Sequence, residues 1–206
     1  MPSLKPILLA LLPLFASCAA APLAAPAQYF AQYQTKLMLD VGRRSADSAF
    51  EPVDDQTAFG VELDIRQPNA RTGLELGLFR SSEEKSKDFG GTRVDYTGHM
   101  TELSVGGRWY NDKGFANAHP YACAGASLLF PSWKEHNSAG GSRDDTGWAV
   151  GPDLRGGVEW MLGDHLSLAL DYRIVILSNI VHGIDLGDSP ADANYQQLGL
   201  VVGWAF

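Results

Sequence analysis

The sequence predicts an all-β protein: an eight-stranded, antiparallel, up-and-down transmembrane β-barrel. Three observations predict it. Apolar residues recur at every second position in segment after segment, the connections between segments alternate in length, and the chain ends on an aromatic residue that completes its last apolar row. Period-two alternation is the pattern of a strand with two unlike faces.

The 206 residues open on a targeting segment. Lys5 supplies a thin basic region. The apolar stretch Ile7–Phe15 is too short to span a bilayer as a helix but suits a secretory signal. Small residues follow from Ala16 to Ala21 and fit two processing routes. One is cleavage near Ala19 or Ala20. The other reads Phe15-Ala-Ser-Cys18 as a lipoprotein box that lipidates Cys18, with Phe15 where that box usually has leucine. The expected organisation is a signal peptide at 1–20, a short N-terminal segment at 21–32 and the barrel at 33–206. Past the signal, no window approaches 18 consecutive apolar residues, so membrane helices are excluded.

The strands follow in order. Over 36–43, Leu37, Leu39 and Val41 alternate with Lys36, Met38, Asp40 and Gly42. Phe59, Val61, Leu63 and Ile65 oppose Gly60, Glu62, Asp64 and Arg66. Leu74, Leu76 and Leu78 oppose Glu75 and Gly77. Leu103, Val105, Gly107 and Trp109 oppose Glu102, Ser104, Gly106 and Arg108. Tyr121–Phe130 is rich in alanine and glycine, and its faces are not assigned. Trp148, Val150, Leu154, Val158 and Trp160 oppose Ala149, Gly151, Asp153, Arg155, Gly157 and Glu159. Pro152 lies inside that segment, where a missing ladder hydrogen bond predicts a bulge or kink. Leu166, Leu168, Leu170 and Tyr172 oppose Ser167, Ala169, Asp171 and Arg173; Leu198, Leu200, Val202, Trp204 and Phe206 form the last apolar row. Each segment has roughly the nine or more residues that a tilted transmembrane strand needs.

Connections at 44–56, 81–92, 131–146 and 177–193 read as long, polar loops, and those at 67–71, 111–118 and 163–165 as short turns. Short periplasmic turns and long extracellular loops distinguish barrels of bacterial outer membranes. Both termini are then periplasmic. Aromatics fall where interfacial girdles belong: Trp109, Trp160, Trp204 and Phe206 at the periplasmic ends, Trp148, Phe59 and Phe130 near the other rim, with Tyr172 also expected at a membrane interface.

The stretch Leu198–Phe206 resembles the signal that outer-membrane barrels present to their assembly machinery, carried here by Leu200, Val202, Trp204 and Phe206. Gly156–Arg173 is similar to the penultimate hairpin of OmpA/OmpX-like eight-stranded barrels, and His119-Pro-Tyr121 also resembles that family. The resemblance covers about residues 30–206. It implies an integral outer-membrane protein, partnered by outer-membrane lipid or lipopolysaccharide and by the barrel-assembly machinery.

The function classes narrow further on charge and motif. The formal charge is −8 with no basic run, which argues against nucleic-acid binding. Two cysteines, Cys18 and Cys123, make no disulfide framework or metal motif, and the histidines at 99, 119, 136, 165 and 182 are scattered. No cofactor is expected. An eight-stranded barrel is just wide enough to be filled by its own side chains. The polar-face charges Glu62, Asp64, Arg66, Glu75, Glu102, Arg108, Asp153, Arg155, Glu159, Asp171 and Arg173 therefore read as an interior salt-bridge network. A soluble sandwich with those charges in water is the rival fold.

The expected role is non-enzymatic: a monomeric barrel presenting four extracellular loops, structural or binding an external ligand. Acidic loop pairs, Asp54-Asp55 and Asp144-Asp145, read as solvated loop residues. A narrow pore is one alternative. Another is hydrolysis of lipid A, whose deacylases carry His-x-Ser-Asn on a late strand. Ile176 stands here where that histidine would be, before Ser178-Asn179, while His136-Asn-Ser138 sits in a loop and His182 follows later.

Overall fold

The computed structural model describes residues 34–46, 51–111, 117–177 and 194–206, and among these every regular element is a strand. In chain order they are β1 (Gln34–Ala46), β2 (Asp55–Arg66), β3 (Thr72–Phe89), β4 (Thr92–Tyr110), β5 (Ala118–Asn137), β6 (Ser142–Thr146), β7 (Ala149–Met161), β8 (Leu166–Val175) and β9 (Tyr195–Ala205). β1 pairs with both β2 and β9, and β4 pairs with β5, so eight strands close into a ring with all neighbours antiparallel. Closure leaves the ring itself without an unpaired edge.

The register fixes the shape. Stepping between paired residues around the ring, Lys36 leads to Asp64, Glu75, Gly106, Gly125, Asp153, Val175 and Tyr195, and returns to β1 at Ala46. The circuit has advanced ten residues along β1. With ordinary strand spacing and rise, that shear over eight strands gives a tilt of about 41° and a backbone radius of about 8 Å. Such a cylinder holds side chains and nothing larger.

Every apolar row named above faces outward. Leu39, Val61, Leu78, Leu103, Leu154, Leu170 and Leu200 are 45–57% exposed, whereas their polar neighbours are buried. In water this inverts the usual economy of burial; in hydrocarbon it is the required one. The soluble sandwich is thereby excluded. Phe79 shows what the glycines on the inner face accomplish. Its ring is fully buried in the lumen, and a Cβ added at Gly60 or Gly77 would overlap it.

Three expectations need correction. Residues 81–92 are not a loop: β3 and β4 continue as a hairpin to the two-residue turn Gly90-Gly91, with φ of 57° and 92°. Positive φ at both central residues is the turn whose twist matches paired strands. Likewise 131–146 is mostly strand, since β5 runs to Asn137, turns at 138–141 and returns as β6. Away from lipid a strand needs no apolar row, so the period-two signal is lost while the hydrogen bonding persists. Finally, Pro152 produces no bulge. The β5–β7 register runs unbroken from Ala118↔Trp160 to Leu129↔Ala149. Pro152 accepts a hydrogen bond from Ile176 N at 3.1 Å, at the end of the β7–β8 ladder, so its missing donor interrupts nothing.

Above the ring, β2 leaves β3 after the pair Thr57↔Ser82, and β6 pairs with the top of β5. The upper parts of β3, β4 and β5 with β6 thus form a four-stranded sheet rising beyond the barrel at the end opposite Phe206.

Candidate functional site

Among the described residues, the inward parity of each strand converges on a lumen holding five basic side chains (Lys36, Arg44, Arg108, Arg155, Arg173) and eight acidic ones (Asp40, Glu62, Asp64, Glu75, Glu102, Asp153, Glu159, Asp171), all buried. Buried charges must be paired and hydrogen-bonded to be tolerated, and here they are arranged in tiers.

At the end carrying Phe206, Lys36 meets Glu159 at 2.5 Å, and Tyr110 donates its hydroxyl to Asp64. One tier further in, Arg108 meets Glu75 at 2.9 Å and stacks 3.7 Å from the Tyr121 ring. Arg155 pairs with Glu62, with Glu75 at 2.9 Å and with Asp171 at 3.5 Å, while Tyr121 donates to Asp171 at 2.5 Å. The next tier centres on Glu102. It accepts from Arg173 at 2.5 Å, from Arg44 at 3.0 Å and from the Tyr195 hydroxyl. Arg173 also grips both oxygens of Asp153, at 2.9 and 2.5 Å, in the forked geometry that a guanidinium favours. The excess of carboxylates is met by neutral donors, with Gln197 donating to Asp40 at 2.9 Å.

Over this polar column lies an apolar layer of Met100, Leu129, Ala149, Val175, Leu177 and Tyr195, all buried. Side chains therefore fill the lumen from both chemistries. At the other end a cavity of 340 Å³ opens between Lys36, Arg66, Tyr110, His119 and Glu159.

Ten of the eleven charges expected inside are buried, and the exception is Arg66. It stands half-exposed at the mouth, its guanidinium 4.5 Å from the Tyr110 ring, because β2 ends there. Asp64 is likewise held by a phenol rather than by a cation. Lys36 and Asp40 were legible from the parity of β1 and Gln197 from that of β9; Arg44 fell in the loop expected at 44–56, whereas β1 runs to Ala46. Tyr110 and Tyr195 are signalled only by lying at strand ends, and Tyr121 belongs to the segment whose faces the sequence leaves open. That strand places Tyr121, Cys123, Ser127 and Leu129 inward; Cys123 Sγ is 3.6 Å from Glu75.

On the outer wall Trp109, Trp148, Trp160, Tyr172 and Trp204 are 38–48% exposed, and Phe206 73%. Tyr172 corrects the expectation of an interface position: it stands mid-wall in β8, opposite Leu198, and its hydroxyl reaches Gln196 at 2.5 Å. The assembly-signal residues Leu200, Val202, Trp204 and Phe206 form one exposed row.

The hydrolase motifs give no nucleophile–base pair among the described residues. Ile176 is exposed on the outer wall, and Ser178, Asn179 and His182 lie outside the described residues. Ser138 Oγ accepts from Arg93 N at 3.1 Å instead of meeting His136, which sits on β5 opposite Ser142. Cys18 and the expected signal peptide at 1–20 also lie outside the described residues.

On the projecting sheet, Asp95 accepts from Ser86 at 2.6 Å and from Arg93 at 2.9 Å, and these contacts hold its carboxyl below the usual aspartate range. Tyr96 and Trp133 touch at 5.9 Å between ring centroids.

Comparison with known proteins agrees with this geometry. The sequence profile of the outer membrane protein β-barrel domain matches residues 8–206. Ail of Yersinia pestis, solved with the heparin analogue sucrose octasulfate, superposes with a TM-score of 0.53 at 11% identity, over 84% of this chain and 97% of that one. Neisserial surface protein A gives 0.50 at 13% identity, over 85% and 97%. A major outer membrane protein of Thermus thermophilus gives 0.58 at 14%, over 84% and 99%. No curated protein matches the sequence. The chain belongs to the outer membrane protein β-barrel family and is an integral protein of the bacterial outer membrane.

Proposed function

We propose that this protein is a non-enzymatic anchor that carries a binding surface outside the cell, the hairpin end facing outward and Phe206 facing the periplasm. One observation carries the reading: the four-stranded sheet that continues β3, β4 and β5 beyond the ring. A barrel built only to stay in the membrane has no use for 18- and 19-residue strands, which exceed the length a tilted span requires. The sheet's inward-parity face brings Phe89, Tyr96 and Trp133 beside Lys85, Lys87 and Arg143, the aromatic and cationic types enriched at recognition surfaces. The filled lumen supports an anchor over a pore, and the separation of His136 from Ser138's hydrogen bond supports a binder over a hydrolase.

The register supplies the test. Ser82 and His99 are paired across β3 and β4, so Glu83–Gly98 can be replaced by Asn-Gly, which closes a two-residue hairpin on that pair. Cells displaying the full chain are applied to an array of extracellular-matrix proteins and glycans, including a heparin-type polysulfate because Ail was solved with an analogue of one. The expected result is binding that disappears in the shortened variant while its barrel still folds. Equal binding by both forms refutes the assignment to the sheet.

A further inference from the structure

The outer wall of β1–β4 carries two exposed arginines towards its hairpin end, Arg43 and Arg80, and only Arg43 is paired, with Asp55. Arg80 continues the outward row Leu74, Leu76, Leu78, is exposed, and has no hydrogen-bond or ion-pair partner among the described residues. Its cross-strand neighbours are Phe59 and Thr101, within a row that runs Val41, Phe59, Arg80, Thr101, Phe130. Directly beneath it, towards the middle of the wall, is an apolar groove of 460 Å³ lined by Leu39, Val41, Val61 and Leu78, with Arg80 and Thr101 at its rim. The next row towards the hairpin end is made of donors and hydroxyls: Arg43, Thr57, Ser82, His99 and Ser132. Of the acids nearby on this face, Asp55 is occupied by Arg43 at 2.6 Å, and Glu84 stands two positions beyond Ser82.

We propose that this wall binds a phosphorylated glycolipid of the outer leaflet, the lipid A part of lipopolysaccharide. One acyl chain lies in the groove, a phosphate sits on Arg80, and the sugar meets the hydroxyl row. Charge selects this occupant. A guanidinium at the border of an apolar band is costly unless it meets an anion, and a phosphate offers it two oxygens at once. A band about 25 Å tall puts that border at headgroup level. The row of Thr57, Ser82, His99 and Ser132 suits sugar hydroxyls rather than the smaller glycerol headgroup of a phospholipid. The inference rests on the outward orientation proposed above and not on any external ligand, and the hairpin replacement leaves Arg80 in place, so the two can fail separately.

The test uses the full chain folded in a non-ionic detergent and native mass spectrometry with added bisphosphorylated lipid A, its dephosphorylated form and phosphatidylglycerol. Bisphosphorylated lipid A is expected to be retained best. Arg80→Ala should weaken it about tenfold to a hundredfold, the worth of one charge-assisted contact, with Arg80→Lys intermediate. Arg93→Ala, on the distant hairpin, should change nothing, and unaltered gel mobility of Arg80→Ala certifies its fold. The proposal is overturned if Arg80→Ala binds lipid A as the parent does, if dephosphorylation has no effect, or if phosphatidylglycerol binds as tightly.

Discussion

Replacing Glu102 with alanine removes the carboxylate that holds two arginines and a tyrosine at once. Arg173 keeps its forked contact with Asp153, but Arg44 is left with the neutral Gln197 side chain at 3.1 and 3.0 Å, and the Tyr195 hydroxyl loses its acceptor. A buried charge stripped of its partner costs about 3–5 kcal/mol. That is a large share of the roughly 5–15 kcal/mol that stabilises an ordinary domain. Arg44→Met should be milder, about 1–2 kcal/mol, because Glu102 retains Arg173 and Tyr195. The double change Arg44→Met with Glu102→Met should recover most of the loss, since no unpaired charge remains and the volume is conserved. The assay is guanidinium unfolding of the folded chain in detergent, followed by tryptophan fluorescence and by the mobility difference between folded and unfolded forms on gels. A Glu102→Ala protein within about 1 kcal/mol of the parent would refute the reasoning. It would mean that water, and not the protein, solvates these charges.

Further consequences can be checked singly. Gly60→Ala should destabilise by about 1–3 kcal/mol by pressing on the Phe79 ring, and Phe79→Leu in the same chain should relieve it, as read by guanidinium midpoints. Planar-bilayer recordings should give no stable conductance, because the buried polar column and the apolar layer around Leu129 both lie across the lumen. Asp95 should titrate below the usual aspartate pKa of about 3.8 in a proton-detected pH series, first because of the Ser86 hydroxyl and then of Arg93. A depressed carboxyl stabilises above its unfolded pKa and loses that contribution as pH falls through its folded one, so hairpin amide protection should drop only below about pH 4 and Asp95→Asn should abolish the dependence.

The sequence and the structure agree wherever lipid imposes a rule. An outward row such as Leu198, Leu200, Val202, Trp204 must be apolar at every second residue, so it can be read without coordinates. The inner charges were legible by the same parity once a row such as Leu37, Leu39, Val41 was recognised. Ser81–Asp88 misled because a strand in water has no such obligation: Ser86, Arg93 and Asp95 bind one another across the hairpin, a relation invisible without the register. Tyr121–Phe130 was ambiguous because Ala122, Ala124 and Ala126 on the outer face are as small as Cys123 and Ser127 on the inner one, so neither face announces itself. Arg80 falls between Leu78, the last apolar residue assigned to its segment, and the loop expected from residue 81, and only the pairing with Phe59 and Thr101 puts it at the border of the apolar band.

The central claim is a closed barrel that traverses the outer membrane with the hairpin end outward. It is tested most directly by thiol labelling of intact cells with a membrane-impermeant maleimide, using Ala139→Cys in the β5–β6 turn and Asp164→Cys in the β7–β8 turn, with the buried Cys123 of the parent chain as the unlabelled control. Ala139→Cys should react on whole cells, and Asp164→Cys should react only after the outer membrane is permeabilised. Labelling of both sites on intact cells, or of Asp164→Cys alone, would contradict the central claim.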